Sequence, residues 1–108
     1  MTLADFEQQV FAGAMASSLC GIPVLRRLSA TSINLRIDLA TGGFIDAFYN
    51  EQTGTTAFAL IQQSRRVFGA DNTGGWHLHP FHDPSLHVEL SQPMSFAGFV
   101  AEIESQFS

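Results

Sequence analysis

The sequence contains no lysine, and its five arginines are outnumbered by ten acidic side chains, which gives a formal net charge of −5. A protein whose main task is to grip a phosphate backbone needs a basic face. The charge balance therefore argues against a dedicated nucleic-acid-binding protein. Only Arg26-Arg27 and Arg65-Arg66 offer local basic patches, and an acidic chain can also attract a basic partner.

Cysteine and long apolar runs are also scarce. Cys20 is the only cysteine, so no internal disulfide can form and nothing calls for an oxidising compartment. No apolar run approaches the roughly 20 residues needed to cross a bilayer. Asp5, Glu7 and Gln8 interrupt the N-terminal stretch where a signal peptide would be apolar. We therefore expect a cytoplasmic protein with no membrane segment.

Core-forming residues, by contrast, are plentiful. Of the 108 residues, 45% are hydrophobic and ten are phenylalanine, which excludes a disordered chain. The length predicts one domain over residues 1–108, without room for two independent cores. A domain of this size folds with little margin, so we expect a homo-oligomer, such as a homodimer, or a protein partner to add stability.

Hydrophobic spacing predicts a helix at each end of the chain. After the capping residue Thr2, apolar residues recur at helical spacing until Gly21-Ile22-Pro23 ends the first helix. A second helix follows Gln92-Pro93, with an apolar stripe on one side. The stripe is formed by Phe96, Phe99, Val100, Ile103 and Phe107.

Between the helices the hydrophobic period changes to two, which is typical of half-buried strands. Tight turns such as Thr41-Gly42-Gly43 separate the strands, and no helical segment lies between them. The sequence thus predicts an α+β fold, an antiparallel meander sheet flanked by an N-terminal and a C-terminal helix. The predicted strands are Ile33–Leu39, Phe44–Glu51, Thr55–Gln62, Val67–Ala70, Trp76–Pro80 and Leu86–Leu90.

All four histidines lie between positions 77 and 87. If Trp76–Pro80 and Leu86–Leu90 pair as a hairpin centred on Asp83, His79 stands opposite His87 and His77 opposite Glu89. All four side chains then share one face, and facing Cβ atoms lie roughly 5 Å apart. This register predicts that the side chains can share a ligand.

Three interpretations of the histidines remain open. His77, His79, His87 and Glu89 could bind a divalent transition metal, because imidazole and carboxylate are suitable ligands. Alternatively, two imidazoles could act as general base and general acid in metal-independent RNA cleavage, with an arginine on the phosphate. In the third interpretation the histidines are structural, within a non-catalytic homo-oligomeric binding domain.

The run Arg65–Asn72, followed by His77, His79-Pro80-Phe81-His82 and His87, resembles the TumE-like toxin family of bacterial toxin–antitoxin systems. The resemblance covers about two-thirds of the chain, from near Ser32 onward. It implies a small α+β ribonuclease toxin that acts on RNA and is neutralised by an antitoxin. The family continues its Asp-Asn pair with Ala-Pro-His, whereas this chain has Thr73-Gly74-Gly75.

The resemblance leads to a first hypothesis, a hydrolase of the nuclease type. In this hypothesis His82 and His87 act as acid and base, Arg66 contacts the phosphate and Asp71 orients a histidine. Further substrate contacts are assigned to Asn72, Arg65 and His79.

Overall fold

A computed structural model describes residues 1–106, and Phe107 of the predicted apolar stripe lies outside the described residues. The fold class predicted from the sequence is confirmed: in chain order, an N-terminal helix, an antiparallel meander sheet and a C-terminal helix follow one another. In chain order the elements are α1 (Leu3–Met15), β1 (Val24–Leu28), β2 (Ser32–Asp38), β3 (Phe44–Asn50), β4 (Thr56–Gln62), β5 (Arg65–Asp71), β6 (His77–His79), β7 (Val88–Glu89) and α2 (Phe96–Gln106).

The seven strands form one sheet in which each strand pairs with its neighbours in sequence, in the order β1 to β7. Both helices cover the same face of this sheet. The aromatic ring of Phe6 in α1 stacks on Tyr49 at 5.2 Å, and Phe99 in α2 stacks on Phe68 at 5.0 Å. Gly13 lets the helices approach, because a Cβ there would lie 2.7 Å from Phe96.

Alternation along the strands separates two faces of the sheet. Ile33, Leu35 and Ile37 of β2 are buried toward the helices, while the residues between them are only half-buried. The face opposite the helices is called the helix-free face below. It carries Asn34, Arg36, Phe44, Asp46, Phe48, Ala57, Ala59, Gly69, Asp71, His77 and His79.

The helix α1 begins as its sequence predicts. The Thr2 hydroxyl accepts a hydrogen bond from the backbone N–H of Asp5, and the Asp5 carboxylate accepts one from the backbone N–H of Thr2. This reciprocal pair satisfies two amide donors that the first turn leaves without helical partners. Within residues 1–106 we find no helix with the length and apolar character needed to span a membrane.

The strands β1 and β5 differ from the prediction, and β6 and β7 are shorter than predicted. The strand β1 is additional, and its five residues are all exposed because it forms an edge of the sheet. The strand β5 is longer than predicted and begins at Arg65, immediately after a two-residue turn. That turn places Gln63 and Ser64 at positive φ of 52° and 64°, a conformation that sequence rules reserve mainly for glycine and asparagine.

Candidate metal centre

The hairpin of β6 and β7 creates the densest group of polar side chains. His77 pairs with Glu89 and Leu78 pairs with Val88, which confirms the predicted register. Leu78 packs toward the core, so that His77 and His79 point to the helix-free face. On the other side of β6, His77 pairs with Asp71 of β5.

Three imidazole rings meet on this face, and we call His77, His79 and His87 the histidine cluster. The ring centroids are 5.0 Å apart for His77 and His79, 4.8 Å for His77 and His87, and 4.6 Å for His79 and His87. One ring nitrogen from each histidine lies within 4.8 Å of the other two. His79 is buried, His77 is half-buried and His87 is exposed. The cluster is therefore open to solvent from the side of His87.

The Asp71 carboxylate lies between two of the rings. One oxygen, Oδ1, is 3.2 Å from Nε2 of His77, and the other, Oδ2, is 3.1 Å from Nε2 of His79. Burial raises the pKa of Asp71, but the N–H of Thr73, the hydrogen bond with His79 and the charges of both histidines outweigh it. The net result is a pKa below the ordinary value, so Asp71 is a carboxylate near neutral pH.

The remaining ring nitrogens of the same two histidines face backbone carbonyls. Nδ1 of His77 lies 3.0 Å from the carbonyl oxygen of Gly75, and Nδ1 of His79 lies 3.2 Å from that of Leu86. Carbonyl and carboxylate oxygens only accept hydrogen bonds, and a neutral imidazole has a single N–H. In either tautomer, therefore, each ring has one nitrogen that faces an oxygen with no proton between them.

Positive charge between the rings and the carboxylate resolves this mismatch. A second proton on each ring would supply the missing donors. A divalent metal ion would do the same by accepting the Nε2 lone pairs, while Nδ1–H donates to the carbonyl. Metal-binding histidines commonly donate their second N–H to a backbone carbonyl or a carboxylate, which fixes the ring.

The distances fit such an ion. Ligands bound about 2.0–2.1 Å from a tetrahedral zinc ion lie about 3.3 Å from one another. The two separations of 3.2 and 3.1 Å between the Asp71 oxygens and the histidine nitrogens match this spacing. The largest separation within the histidine cluster, 4.8 Å, exceeds it. The most widely separated of these nitrogens would have to come about 1.5 Å closer to complete the coordination.

Arg66 lies at the rim of the same opening, a depression of about 350 Å³ lined by Arg66, Asp71, Thr73, His77, His79 and His87. Its Nη2 atom donates to the carbonyl oxygen of Pro84 at 3.3 Å. Gly69 makes room for this arrangement. A Cβ on Gly69 would lie 3.2 Å from Cδ of Arg66 and 3.5 Å from Cδ2 of His79.

The other residues selected from the sequence lie elsewhere. His82 is exposed in the turn between β6 and β7 and does not belong to the histidine cluster. Arg65 lies beside the loop that contains Gly42 and Gly43. Glu89 is exposed and lines a neighbouring depression with His77 and His87; the converging ligand atoms belong to the three histidines alone, and Asp71 joins them through its contacts with His77 and His79. Their assigned roles stay predictions.

Asn72 has a different set of contacts from the one expected of a substrate-binding residue. Its side-chain oxygen accepts a hydrogen bond from the backbone N–H of Thr56 at 2.8 Å, and its amide nitrogen donates to the carbonyl oxygen of Gly54 at 2.9 Å. Both contacts tie the end of β5 to the turn before β4. Asn72 thereby fixes the position of the adjacent Asp71.

The sequence interpretation missed Gly69 and the two carbonyl groups that orient the rings. Gly69 has a recognisable signal, because an isolated glycine within a strand often marks the close approach of another group. The carbonyl oxygens of Gly75 and Leu86 have no signal of their own. Their directions depend on turns, including positive φ angles of 71° and 102° at Gly74 and Gly75.

Comparisons with protein-family models, with curated proteins and with solved structures gave no match. The resemblance to TumE-like toxins therefore stays a prediction. The site is therefore described by its side chains: three imidazoles, a carboxylate and an arginine form a group on one face of the sheet that is open to solvent.

Proposed function

We propose that this protein is a small metal-dependent hydrolase and that the histidine cluster, together with Asp71, holds a divalent transition metal ion. The supporting observation is the arrangement around Asp71, where both Nε2 atoms converge while both Nδ1 atoms face carbonyl oxygens. Neutral imidazoles cannot satisfy all four contacts with protons. Three neutral imidazoles and a carboxylate are a ligand set suited to zinc, iron, nickel or manganese.

The proposed reaction is hydrolysis of a phosphodiester bond. A divalent ion at this position would polarise a phosphoryl oxygen and lower the pKa of a bound water molecule. Arg66, at the rim of the same depression, would pair with the phosphate, since guanidinium matches phosphate geometry. Together with the resemblance to TumE-like toxins, these groups support RNA as the substrate. The corresponding biological role is a toxin that acts in the cytoplasm and is neutralised by an antitoxin.

This proposal differs from the sequence-based hypothesis in the identity of the acting residues. That hypothesis assigned acid–base catalysis to His82 and His87 without a metal. The proposal instead assigns metal binding to His77, His79, His87 and Asp71, with Arg66 retained on the phosphate. The sequence-based hypothesis predicts that a variant without His82 is inactive. The metal-centre proposal predicts that the same variant remains active.

The test combines metal analysis with RNA cleavage. Protein purified without a histidine tag should contain a stoichiometric transition metal, and single-stranded RNA cleavage should stop with a chelator and return with the metal. The variants His77→Ala and His87→Ala should lose both metal and cleavage, whereas His82→Ala should keep both. Absence of metal affinity would reject the metal centre. Loss of cleavage in both His82→Ala and His87→Ala, without dependence on metal, would support the acid–base version instead.

A homo-oligomer is the second candidate, and a different part of the fold favours it. The edge strand β1 and Ile22, two residues before it, expose large apolar side chains: Ile22 is 72%, Val24 52%, Leu25 47% and Leu28 59% exposed. Unpaired backbone groups along such an edge can pair with an identical edge. Light scattering after size exclusion should then give twice the chain mass of 11.8 kDa. Replacement of Val24 with lysine should return the protein to a single chain, and a monomeric wild type would reject this candidate.

A further inference from the structure

The positive charges of this acidic protein are confined to its sheet. All five arginines lie on strands, with Arg26 and Arg27 on β1, Arg36 on β2, and Arg65 and Arg66 on β5. The helices α1 and α2 contain no basic residue and carry Asp5, Glu7, Glu102 and Glu104. The helices therefore carry only negative charge, whereas the sheet carries both signs, since Asp46 and Asp71 share the helix-free face with Arg36.

Two of these arginines border a second depression on the helix-free face, far from the histidine cluster. It has a volume of about 430 Å³ and is lined by Arg26, Arg27, Ser32, Asn34, Asp46 and Phe48. Phe48 lies on the face opposite its buried neighbours Ala47 and Tyr49 and is half-buried. Here a flat ring and two guanidinium groups border one space. This combination suits an anionic ligand with an aromatic part.

A path of small side chains on the helix-free face connects the second depression to the histidine cluster. The facing positions of β4 and β5 on the helix-free face are occupied by Ala59 and Gly69, and Ala57 faces Asp71. The small side chains of Ala57 and Ala59 keep the sheet surface low between Phe48 and Arg66, whose own side chain lies over Gly69. From β1 to β5 there are four strand spacings of about 4.8 Å, so the path is about 19 Å long. Near its β2 end, the Arg36 guanidinium stacks 3.7 Å from the centre of the Phe44 ring.

We propose that a single-stranded nucleic acid lies along this path. One phosphate contacts Arg66 beside the histidine cluster, and a distal nucleotide occupies the second depression, with its phosphate on Arg26 and Arg27 and its base against Phe48. The alternation of guanidinium groups and aromatic rings favours nucleic acid over an acidic peptide, because bases stack on such rings. The choice of RNA rests on the proposed function, whereas the existence of the distal subsite does not.

Binding is measured separately from cleavage. A fluorescent single-stranded RNA of about ten nucleotides is titrated with full-length protein in the presence of EDTA, and anisotropy is recorded at several salt concentrations. The double variant Arg26→Gln/Arg27→Gln should bind at least about tenfold more weakly, because charge-assisted contacts are lost. Its plot of log affinity against log salt should be shallower by about 0.7, since one phosphate contact is lost and each accounts for about 0.7 on single strands.

Phe48 gives an independent readout. The variant Phe48→Leu keeps an apolar side chain but removes the ring, so affinity should fall about five- to hundredfold while the salt dependence stays the same. Glu102→Gln on α2 is the matched control. It changes the net charge by one unit on the opposite side of the molecule and should leave affinity within about twofold.

The outcomes separate the two proposals. Weakened RNA binding in the arginine and Phe48 variants supports the distal subsite even if no RNA is cleaved, in which case only the proposed function fails. Unchanged binding in both variants overturns the subsite, whether or not the protein cleaves RNA. Equal affinity for a polyglutamate peptide, lost in the same arginine variant, overturns nucleic acid as the ligand of this face.

Discussion

The proposed metal centre predicts that folding stability depends on metal through His87 and not through His82. Both histidines are exposed and lie in the same connection between β6 and β7, so alanine at either position removes little buried surface. They differ in that His87 contributes to the histidine cluster and His82 does not. The two single variants therefore form a matched pair. Any general effect of removing an imidazole on stability is present in both and drops out when they are compared.

The magnitude follows from binding linkage. A ligand that binds only the folded state at 100 times its dissociation constant stabilises that state by about 2.7 kcal/mol. For a domain of about 100 residues, each kcal/mol shifts Tm by about 4–8 °C. Wild-type protein and His82→Ala should therefore gain about 11–22 °C at that metal concentration. If the loss of one ligand weakens binding about a hundredfold, His87→Ala should gain only about 0.4 kcal/mol, or about 2–3 °C.

The assay is thermal unfolding by calorimetry or circular dichroism, with chelated protein titrated with zinc, nickel or manganese. The variant His79→Gln provides a second comparison, because His79 is buried between Asp71 and the carbonyl of Leu86. It should lose the metal-dependent gain and also unfold at a lower temperature without metal. Equal gains in His82→Ala and His87→Ala, or no gain in wild type, would refute the reasoning from the ring nitrogens.

Three further predictions concern the surroundings of the site. Because the folded pKa of Asp71 lies below the unfolded value of about 3.9, its stabilisation is present above that pH and is lost as pH falls through the folded value. The variant Asp71→Asn should therefore show a weaker loss of stability below about pH 4 in urea titrations; an unchanged pH slope would contradict this. Gly69→Val should destabilise the protein by about 1–3 kcal/mol in the same assay, since its side chain meets Arg66 and His79; wild-type stability would argue against close packing there. Ser64→Gly should stabilise it by about 0.5–1 kcal/mol, because Ser64 has a positive φ of 64°, and a destabilised variant would refute this turn geometry.

The fold could be predicted from the sequence where its physical signals are local. Ile33, Leu35 and Ile37 alternate with polar residues because one face of β2 is buried and the other is not. The strand β1 gave no such signal, since all its residues are exposed and its pairing with β2 is irregular between Leu25 and Arg27. Such an edge strand forms because it pairs with the neighbouring strand. Local hydrophobic periodicity contains no information about that pairing.

The histidine cluster was predictable only in part. The register of the β6–β7 hairpin followed from the spacing of apolar and polar residues around Asp83, and it brought His79 and His87 to one face. The extent of the strands did not follow, because the loop between them is held by contacts made over longer range. Phe81 in this loop stacks on Phe68 of β5 at 4.2 Å, which draws the chain away from strand pairing. His82, next to this anchor, is left outside the cluster.

Because β7 is short, the loop before it depends on other contacts to stay on the sheet. β7 pairs with β6 through only two residues, and a hairpin this short contributes little stability by itself. The loop before it is also connected to the body of the sheet through the carbonyl oxygens of Pro84 and Leu86, which face Arg66 and His79. Whatever places positive charge between Asp71 and the histidine nitrogens therefore also holds this loop on β5. We therefore expect that binding at the proposed metal centre would also order the last hairpin, since the imidazole of His79 takes part in both.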